Sequence, residues 1–336
     1  MITVACLGAG YFSRFHIDGW HRIEETQIVG VADQSLEQAV ATGYPSFASL
    51  DEMLRATKPD LLDIVIPPHG HAKAIEAGCK AGVRAIICQK PFCTSISEAR
   101  AMVSLAQAHD STLIVHENFR FQPWYRSVKD LLDKKAIGQP LQATFRLRPG
   151  DGQGIDAYLD RQPYFRKMDR FLIHETGIHF LDVARFLFGD PNAAYADLRR
   201  CNSAIAGEDA GIVILDHADD LRVLIDGNRL LDHAATDLRR TMGETLIEGT
   251  EGTIAIFGDG SVSHRAFETV ESRQVQPPTT SANFGGDCVY LLQRHVADAL
   301  ASGVEPENLA SEYLSVIKTK DAIYRSSETQ QKVSLL

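Results

Sequence analysis

The first dozen residues limit what this chain can fold into more than any other stretch. An apolar run, Ile2–Leu7, ends in Gly8-Ala9-Gly10, and a helical stretch over residues 11–23 follows at once. A buried strand that stops at paired glycines and turns straight into a helix is the opening of a βαβ unit, whose helix N-terminus can receive a phosphate. In the string GAGYFS, Ser13 stands where the third glycine of G-x-G-x-x-G would be. Gly8 permits the tight turn and Gly10 lets the backbone approach a pyrophosphate. Ser13 is still small enough for close helix–strand packing. Asp33 closes the next strand, the place from which an acid binds the adenosine ribose hydroxyls. Its neighbours Gln34 and Ser35 offer no positive charge to a 2′-phosphate, which favours NAD over NADP. The competing reading is a structural turn and a surface aspartate.

The alternation continues. Residues 27–32, 61–66, 83–88 and 113–116 predict strands, and residues 36–42, 49–56, 71–81 and 97–109 predict helices between them. Apolar, β-branched strands alternating with helices predict a doubly wound parallel sheet, a Rossmann-type α/β domain. Beyond Phe119 the pattern changes. A helix over 124–135 leads to alternating strands at 141–147, 211–215, 222–226, 245–248 and 253–257, and the short connector 217–220 predicts antiparallel pairing. We expect residues 1–119 to form an NAD-binding Rossmann domain. Residues 120–336 should form an α+β substrate-binding and oligomerisation domain with a large, mostly antiparallel open sheet. Helices near 289–300 and 311–326 are expected to pack back on the first domain, and the glycine-rich 150–154 reads as a mobile loop.

Composition excludes several function classes. A length of 336 residues suits two domains, and a formal net charge of −10 without a clustered basic run argues against nucleic acid. No apolar run approaches the ~18 residues that span a membrane, and the N-terminus lacks the basic region of a signal peptide. The six cysteines (Cys6, Cys79, Cys88, Cys93, Cys201 and Cys288) form no C-x-x-C pair and several lie in apolar runs, the usage of a reducing cytoplasm.

Further strings carry a family resemblance: IPPHGHAKAIEAGC at 66–79, ICQKPF at 87–92, HENFRFQP at 116–123, HETGIHFLDVARFLFG at 174–189 and EGTEGTIAIFGDG at 248–260. Together they resemble the glucose–fructose oxidoreductase, inositol dehydrogenase and rhizopine catabolism (Gfo/Idh/MocA) family over nearly the whole chain. Family members usually carry Glu-Lys-Pro, with a catalytic lysine close to the nicotinamide, where this chain has Gln89-Lys90-Pro91. The resemblance therefore places that role on Lys90. The family's D-x-G-x-H signature reads Glu175-Thr176-Gly177-Ile178-His179 here, which places the second pair of catalytic roles on Glu175 and His179, with a glutamate in place of the aspartate. On these motifs we expect Gly8, Gly10, Tyr11, Phe12, Asp33, Pro67, His71, Gln89, Lys90 and Asn118 to contact NAD. Lys90, Tyr164, Arg166, His174, Glu175 and His179 are expected to contact substrate. A homodimer or homotetramer through the C-terminal sheet is implied as well.

The spacing makes independent sense. Positions i, i+3 and i+4 share a helix face, so Glu175, His179 and Asp182 should line one polar stripe on an otherwise apolar helix, as a lined cavity would require. The bland alternative is a packed histidine beside a capping acid. His174 and His179 are five apart, the wrong interval for a zinc-binding helix, and no metal is expected. Pro91, at a strand end where the chain must turn sharply, predicts a cis Lys90–Pro91 bond. The chemistry expected is oxidation of a hydroxyl or hemiacetal of a small polyhydroxylated substrate such as inositol, an aldohexose or an aldopentose, apiose included. His179 would be the base, its lone pair available near neutrality, and Lys90 the donor to the same oxygen. A transient-redox glycosidase or lyase, and a non-catalytic NAD-binding regulator, are the alternatives.

Overall fold

Strands that lie between two layers of helices must be apolar on both faces, and the first strands obey this: Val4, Ala5, Cys6, Leu61, Leu62, Ile64, Ile86, Ile87 and Cys88 are all fully buried. The computed structural model describes residues 1–160, 162–281 and 283–336. Arg161, within the Tyr- and Arg-rich stretch 158–170, lies outside the described residues. The chain divides into two compact units, one made of Met1–Asn118 with Cys288–Leu314 and the other of Phe119–Asp287 with Ser315–Leu336.

In the first unit the elements are β1 (Ile2–Leu7), α1 (Ser13–Arg22), β2 (Thr26–Ala32), α2 (Leu36–Ala41), β3 (Ser46–Phe47), α3 (Leu50–Thr57), β4 (Leu61–Ile64), α4 (His71–Lys80), β5 (Ala85–Gln89), α5 (Ile96–Ala108) and β6 (Thr112–His116). The strands pair in parallel in the order β3-β2-β1-β4-β5-β6. This is the expected doubly wound sheet, with the order reversing at β1, so a crevice opens at the carboxyl ends of β1 and β4. Three helices start on serines whose hydroxyls accept a backbone N–H: Ser35 from Gln38, Ser49 from Glu52 and Ser95 from Glu98. Most boundaries shift from expectation by one or two residues, and two differences have a plain cause. β4 ends at Ile64 because Pro67-Pro68 begins a 3-10 turn, and the two-residue β3 was too short to show in the pattern.

The second unit holds α6 (Pro123–Asp133), β7 (Pro140–Leu147), α7 (Ile178–Phe188), β8 (Ala193–Arg199), β9 (Ala210–Asp216), β10 (Arg222–Asn228), β11 (Gly243–Gly249), β12 (Gly252–Ile256), β13 (Val262–Ala266) and β14 (Arg273–Gln276). The chain continues through α8 (Cys288–Ser302), which belongs to the first unit, α9 (Ala310–Thr329) and β15 (Val333–Ser334). Nine strands pair in the order β14-β13-β12-β11-β7-β10-β9-β8-β15. All neighbours are antiparallel except β7 and β10, which run parallel because the long excursion through α7 separates them in the chain. Alternate residues form the buried face, among them Ala143, Phe145, Val213, Leu215, Val223, Ile225, Ile247 and Ile254. The opposite face carries a lateral row fixed by register: Ala255, Leu246, Thr144, Leu224, Ile214 and Tyr195.

Candidate active site

The turn after β1 has the shape a dinucleotide needs. Gly8 has φ +107°, and a Cβ there would lie 2.2 Å from the Val65 carbonyl oxygen, so only glycine fits. Around Gly10 the space is open: a Cβ would meet nothing within 4 Å, which leaves room for a ligand against the backbone. Asp33 reaches back over this turn. Its Oδ2 accepts from Ala9 N at 2.8 Å and its Oδ1 from Ser35 N at 2.8 Å, which fixes the carboxylate at the lip of the crevice. Tyr11 is exposed, with the Arg14 guanidinium 4.3 Å from its ring centroid, while Phe12 packs edge-on to His16. Asn118, past the end of β6, is buried, and its Oδ1 has no hydrogen-bond partner among the described residues. His71 is buried and donates Nε2–H to the Ile66 carbonyl at 2.8 Å, while Pro67 is exposed. Burial pushes the His71 imidazole down to about 4, so the ring is neutral at physiological pH.

Lys90 follows the last residue of β5 and is half-buried at the carboxyl edge of the sheet. The Lys90–Pro91 bond is cis, as expected. Behind it lies a polar network that pattern reading missed. Gln89 accepts from Lys90 N at 2.8 Å through Oε1 and bonds His16 Nε2 at 3.1 Å through Nε2. His16 Nδ1 meets Asp63 Oδ2 at 2.8 Å, and Trp20 Nε1 donates to the same oxygen at 2.7 Å. Burial raises the pKa of Asp63, but His16 and the other polar neighbours outweigh it and hold the carboxyl below its ordinary range. One signal was available. Asp63 is a charged residue inside the apolar strand Leu61–Ile64, and such a residue must find buried partners.

His179 is 7% exposed and stacks on Phe119, with ring centroids 4.0 Å apart and planes 6° from parallel. The polar stripe expected on its helix is corrected in two ways. Glu175 is not on α7: residues Leu172–Gly177 form a π-helical turn, and α7 begins only at Ile178, so the i, i+4 register breaks between them. Asp182 is fully buried and held by Arg120 in a two-pronged pair, Nε–Oδ2 at 2.8 Å and Nη2–Oδ1 at 2.5 Å, so it faces the core. Glu175 and His174 are both half-buried, and the His174 backbone N donates to the Tyr324 hydroxyl at 3.1 Å.

The glycine-rich 150–154 segment is pinned where a mobile loop was expected. The Asn202 side chain donates to the carbonyls of Gly152 and Gly154, both at 2.8 Å. Buried Arg229 bonds both Asp151 oxygens, the Tyr158 hydroxyl at 2.6 Å and Thr176 Oγ1 at 2.6 Å, inside a box of Tyr158, Phe165 and Phe171 rings. Arg229 thus ties this segment to the residue next to Glu175. Burial keeps the Tyr158 hydroxyl protonated well above its ordinary range, so it donates to Asp151. Tyr164 lies exposed on the turn Pro163–Lys167, and Arg166 donates to the Ala204 carbonyl. Among the described residues no cluster of three or more His, Cys, Asp or Glu could hold a metal ion.

Residues 2–117 match the family model GFO/IDH/MocA, an oxidoreductase family with an NAD-binding Rossmann fold, and residues 125–255 match the C-terminal domain of the same family. The chain belongs to the Gfo/Idh/MocA oxidoreductase family. It is 33% identical to a D-apiose dehydrogenase of Paraburkholderia graminis over 98% of this chain and 89% of that protein. A D-apiose dehydrogenase of Rhizobium rhizogenes is 29% identical over 98% of this chain and 96% of its own length. An oxidoreductase from Agrobacterium radiobacter, crystallised with NAD+, L-tartaric acid and magnesium, superposes with a TM-score of 0.90 at 27% identity and covers 99% of this chain and 98% of its own. The family's first domain binds NAD, and the glycine turn of this chain, open beside Gly10 and edged by the Asp33 carboxylate, leaves room against its backbone for such a ligand.

Proposed function

We propose that this protein is an NAD-dependent dehydrogenase that oxidises a hydroxyl or hemiacetal of a small sugar or polyol, with D-apiose as the first substrate to test. The observation that carries this reading is end-to-end similarity to a D-apiose dehydrogenase at 33% identity. The Asp33 carboxylate, held over the glycine turn, supports NAD as the cofactor. When bound, NAD supplies the acceptor for the hydrogen and electron pair of the substrate C–H bond. His179 takes the hydroxyl proton, its ring held in one orientation by the stack on Phe119. Lys90 donates a hydrogen bond to the same oxygen and stabilises its developing negative charge. Glu175, on the π-helical turn, orients His179 or binds a second substrate hydroxyl, and Tyr164, Arg166 and His174 are the other substrate contacts. Tyr11, Phe12, Pro67, His71, Gln89 and Asn118 complete the cofactor set.

Two further readings belong here. Homo-oligomerisation through the nine-stranded sheet is supported by the row from Ala255 to Tyr195 on its opposite face, apolar but for Thr144, since such a sheet face calls for a partner. A cytoplasmic location is supported by six free cysteines, five of them buried. No described helix is long and apolar enough to cross a membrane.

The test is a panel of D-apiose, other aldopentoses, aldohexoses and inositol with NAD, read by NADH absorbance. Accumulation of NADH with one member, D-apiose first, is expected. No NADH, with substrate nonetheless converted, would favour the transient-redox alternative and overturn net oxidation.

A further inference from the structure

The proposed catalytic lysine is anchored from behind by a network with one self-consistent arrangement of protons. A backbone N–H can only donate, so the atom of Gln89 that faces Lys90 N at 2.8 Å is the carboxamide oxygen. This turns the Gln89 NH2 group toward His16 Nε2, 3.1 Å away, and a donor there requires a lone pair on Nε2. The proton of His16 is then on Nδ1, where Asp63 Oδ2 accepts it at 2.8 Å. The carboxylate oxygen is also met by Trp20 Nε1 at 2.7 Å and Gln293 Nε2 at 3.4 Å. Gln293 gets this close because α8 packs on α1 at Gly19, where a Cβ would sit 1.9 Å from Gln293 Oε1. His16, Asp63 and Gln293 are 0% exposed and Gln89 9%, so bulk water does not compete for these bonds.

We propose that Gln89 and His16 are positioning residues for Lys90: Asp63 fixes the ring of His16, His16 fixes the sense of the Gln89 carboxamide, and Gln89 holds the backbone of Lys90 at the end of β5. This rests on the reading of Lys90 as catalytic. The groups that face His16 are Asp63 on β4, His116 on β6, whose ring is tilted 34° to it with centroids 4.0 Å apart, and the uncharged Gln293 on α8. Cys6 and Cys88 lie near Asp63, and burial pushes both thiols well up, so they stay protonated. The amide at position 89 is what allows a neutral His16. A carboxylate there would place a second acceptor against Nε2, and His16 would have to carry a proton on both nitrogens.

The test combines a spectroscopic and a kinetic readout on the full-length protein. In 15N-histidine-labelled wild type, with His16 assigned through His16→Gln, His16 should give the neutral Nδ1–H pattern at pH 7.5, and in Gln89→Glu the doubly protonated pattern. An Nε2–H or cationic His16 in the wild type overturns the network. In kinetics with the sugar that gives most NADH, Gln89→Leu should lower kcat about tenfold or more, with a smaller change in NAD affinity. Gln89→Glu, which still accepts from Lys90 N–H, should recover most of the loss. A wild-type kcat in Gln89→Leu, with Lys90→Ala inactive, overturns the positioning role alone. Full activity in Lys90→Ala overturns the catalytic reading and the positioning role with it, whatever the histidine spectra show about the network.

Discussion

The His179 ring lies flat on the Phe119 ring, 4.0 Å between centroids and 6° between planes. Phe119 opens the short 3-10 turn Phe119–Phe121, whose next residue, Arg120, holds Asp182 of the same helix that carries His179. One turn therefore grips this helix twice, once by stacking and once by an ion pair. Phe119→Leu should remove the stack but leave the pair. It should cost about 1–2 kcal/mol of stability and lower kcat about tenfold, measured by thermal unfolding and NADH formation. An unchanged kcat would show that the stack does not orient a working base.

Arg120→Met should act on stability far more than on chemistry. It leaves Asp182 buried without its cation, a loss of about 3–5 kcal/mol. Urea unfolding of Arg120→Met beside the double variant Arg120→Met/Asp182→Leu checks this. The double variant should recover much of the loss, because a paired apolar replacement leaves no stranded charge.

Arg229→Met should release the 150–158 segment. Wild-type protein is expected to resist brief proteolysis there, and Arg229→Met to be cut within it, since the bonds to Asp151, Tyr158 and Thr176 vanish together. Equal resistance in the two proteins would mean that the Asn202 bonds alone pin the loop.

Cofactor preference follows from Asp33. NAD should be used at least about tenfold more efficiently than NADP, because a 2′-phosphate would meet the carboxylate with no counter-charge. Asp33→Ala should narrow the gap. Comparable kcat/KM for the two cofactors in the wild type would contradict the assignment.

Acid should destabilise the fold through its buried histidines. His217, 4% exposed and edge-on to Phe188, is pushed by burial down to about 4. An unfolded histidine titrates near 6.5, so the unfolded chain takes up a proton first. The stability due to neutral His217 is full above about pH 6.5 and is lost as pH falls to about 4, at most about 3 kcal/mol. His71 adds a loss of the same sign over the same window. His217→Phe should flatten the fall in urea midpoint between pH 7 and pH 4.5.

Much of this was legible from residues alone. Five strands of the six-stranded sheet could be read because buried parallel strands are unbroken apolar runs and because Gly8, Pro67-Pro68 and the capping serines punctuate them; the two-residue β3 could not. β8, β13, β14 and β15 were not legible: AAYADLR, VSHRA, RQVQ and the two-residue VS carry weak β signals and owe their strand form to the neighbours they pair with. The Glu175 turn misled for a related reason, since a π-helical turn inserts into a helical pattern without changing its composition. The buried partners of the site, His16 and Asp63 beside Gln89 and Arg229 beside Thr176, depend on contacts between residues distant in sequence, and periodicity does not report those.

The most direct test is the rate of NADH formation by Lys90→Ala and His179→Ala, with NAD affinity measured on the same preparations. Each substitution should lower kcat about 10²–10⁴-fold while NAD binding stays within about threefold, because neither side chain holds the pyrophosphate or the adenosine ribose. A His179→Ala enzyme with near-normal turnover would contradict this and reduce His179 to a histidine packed on Phe119.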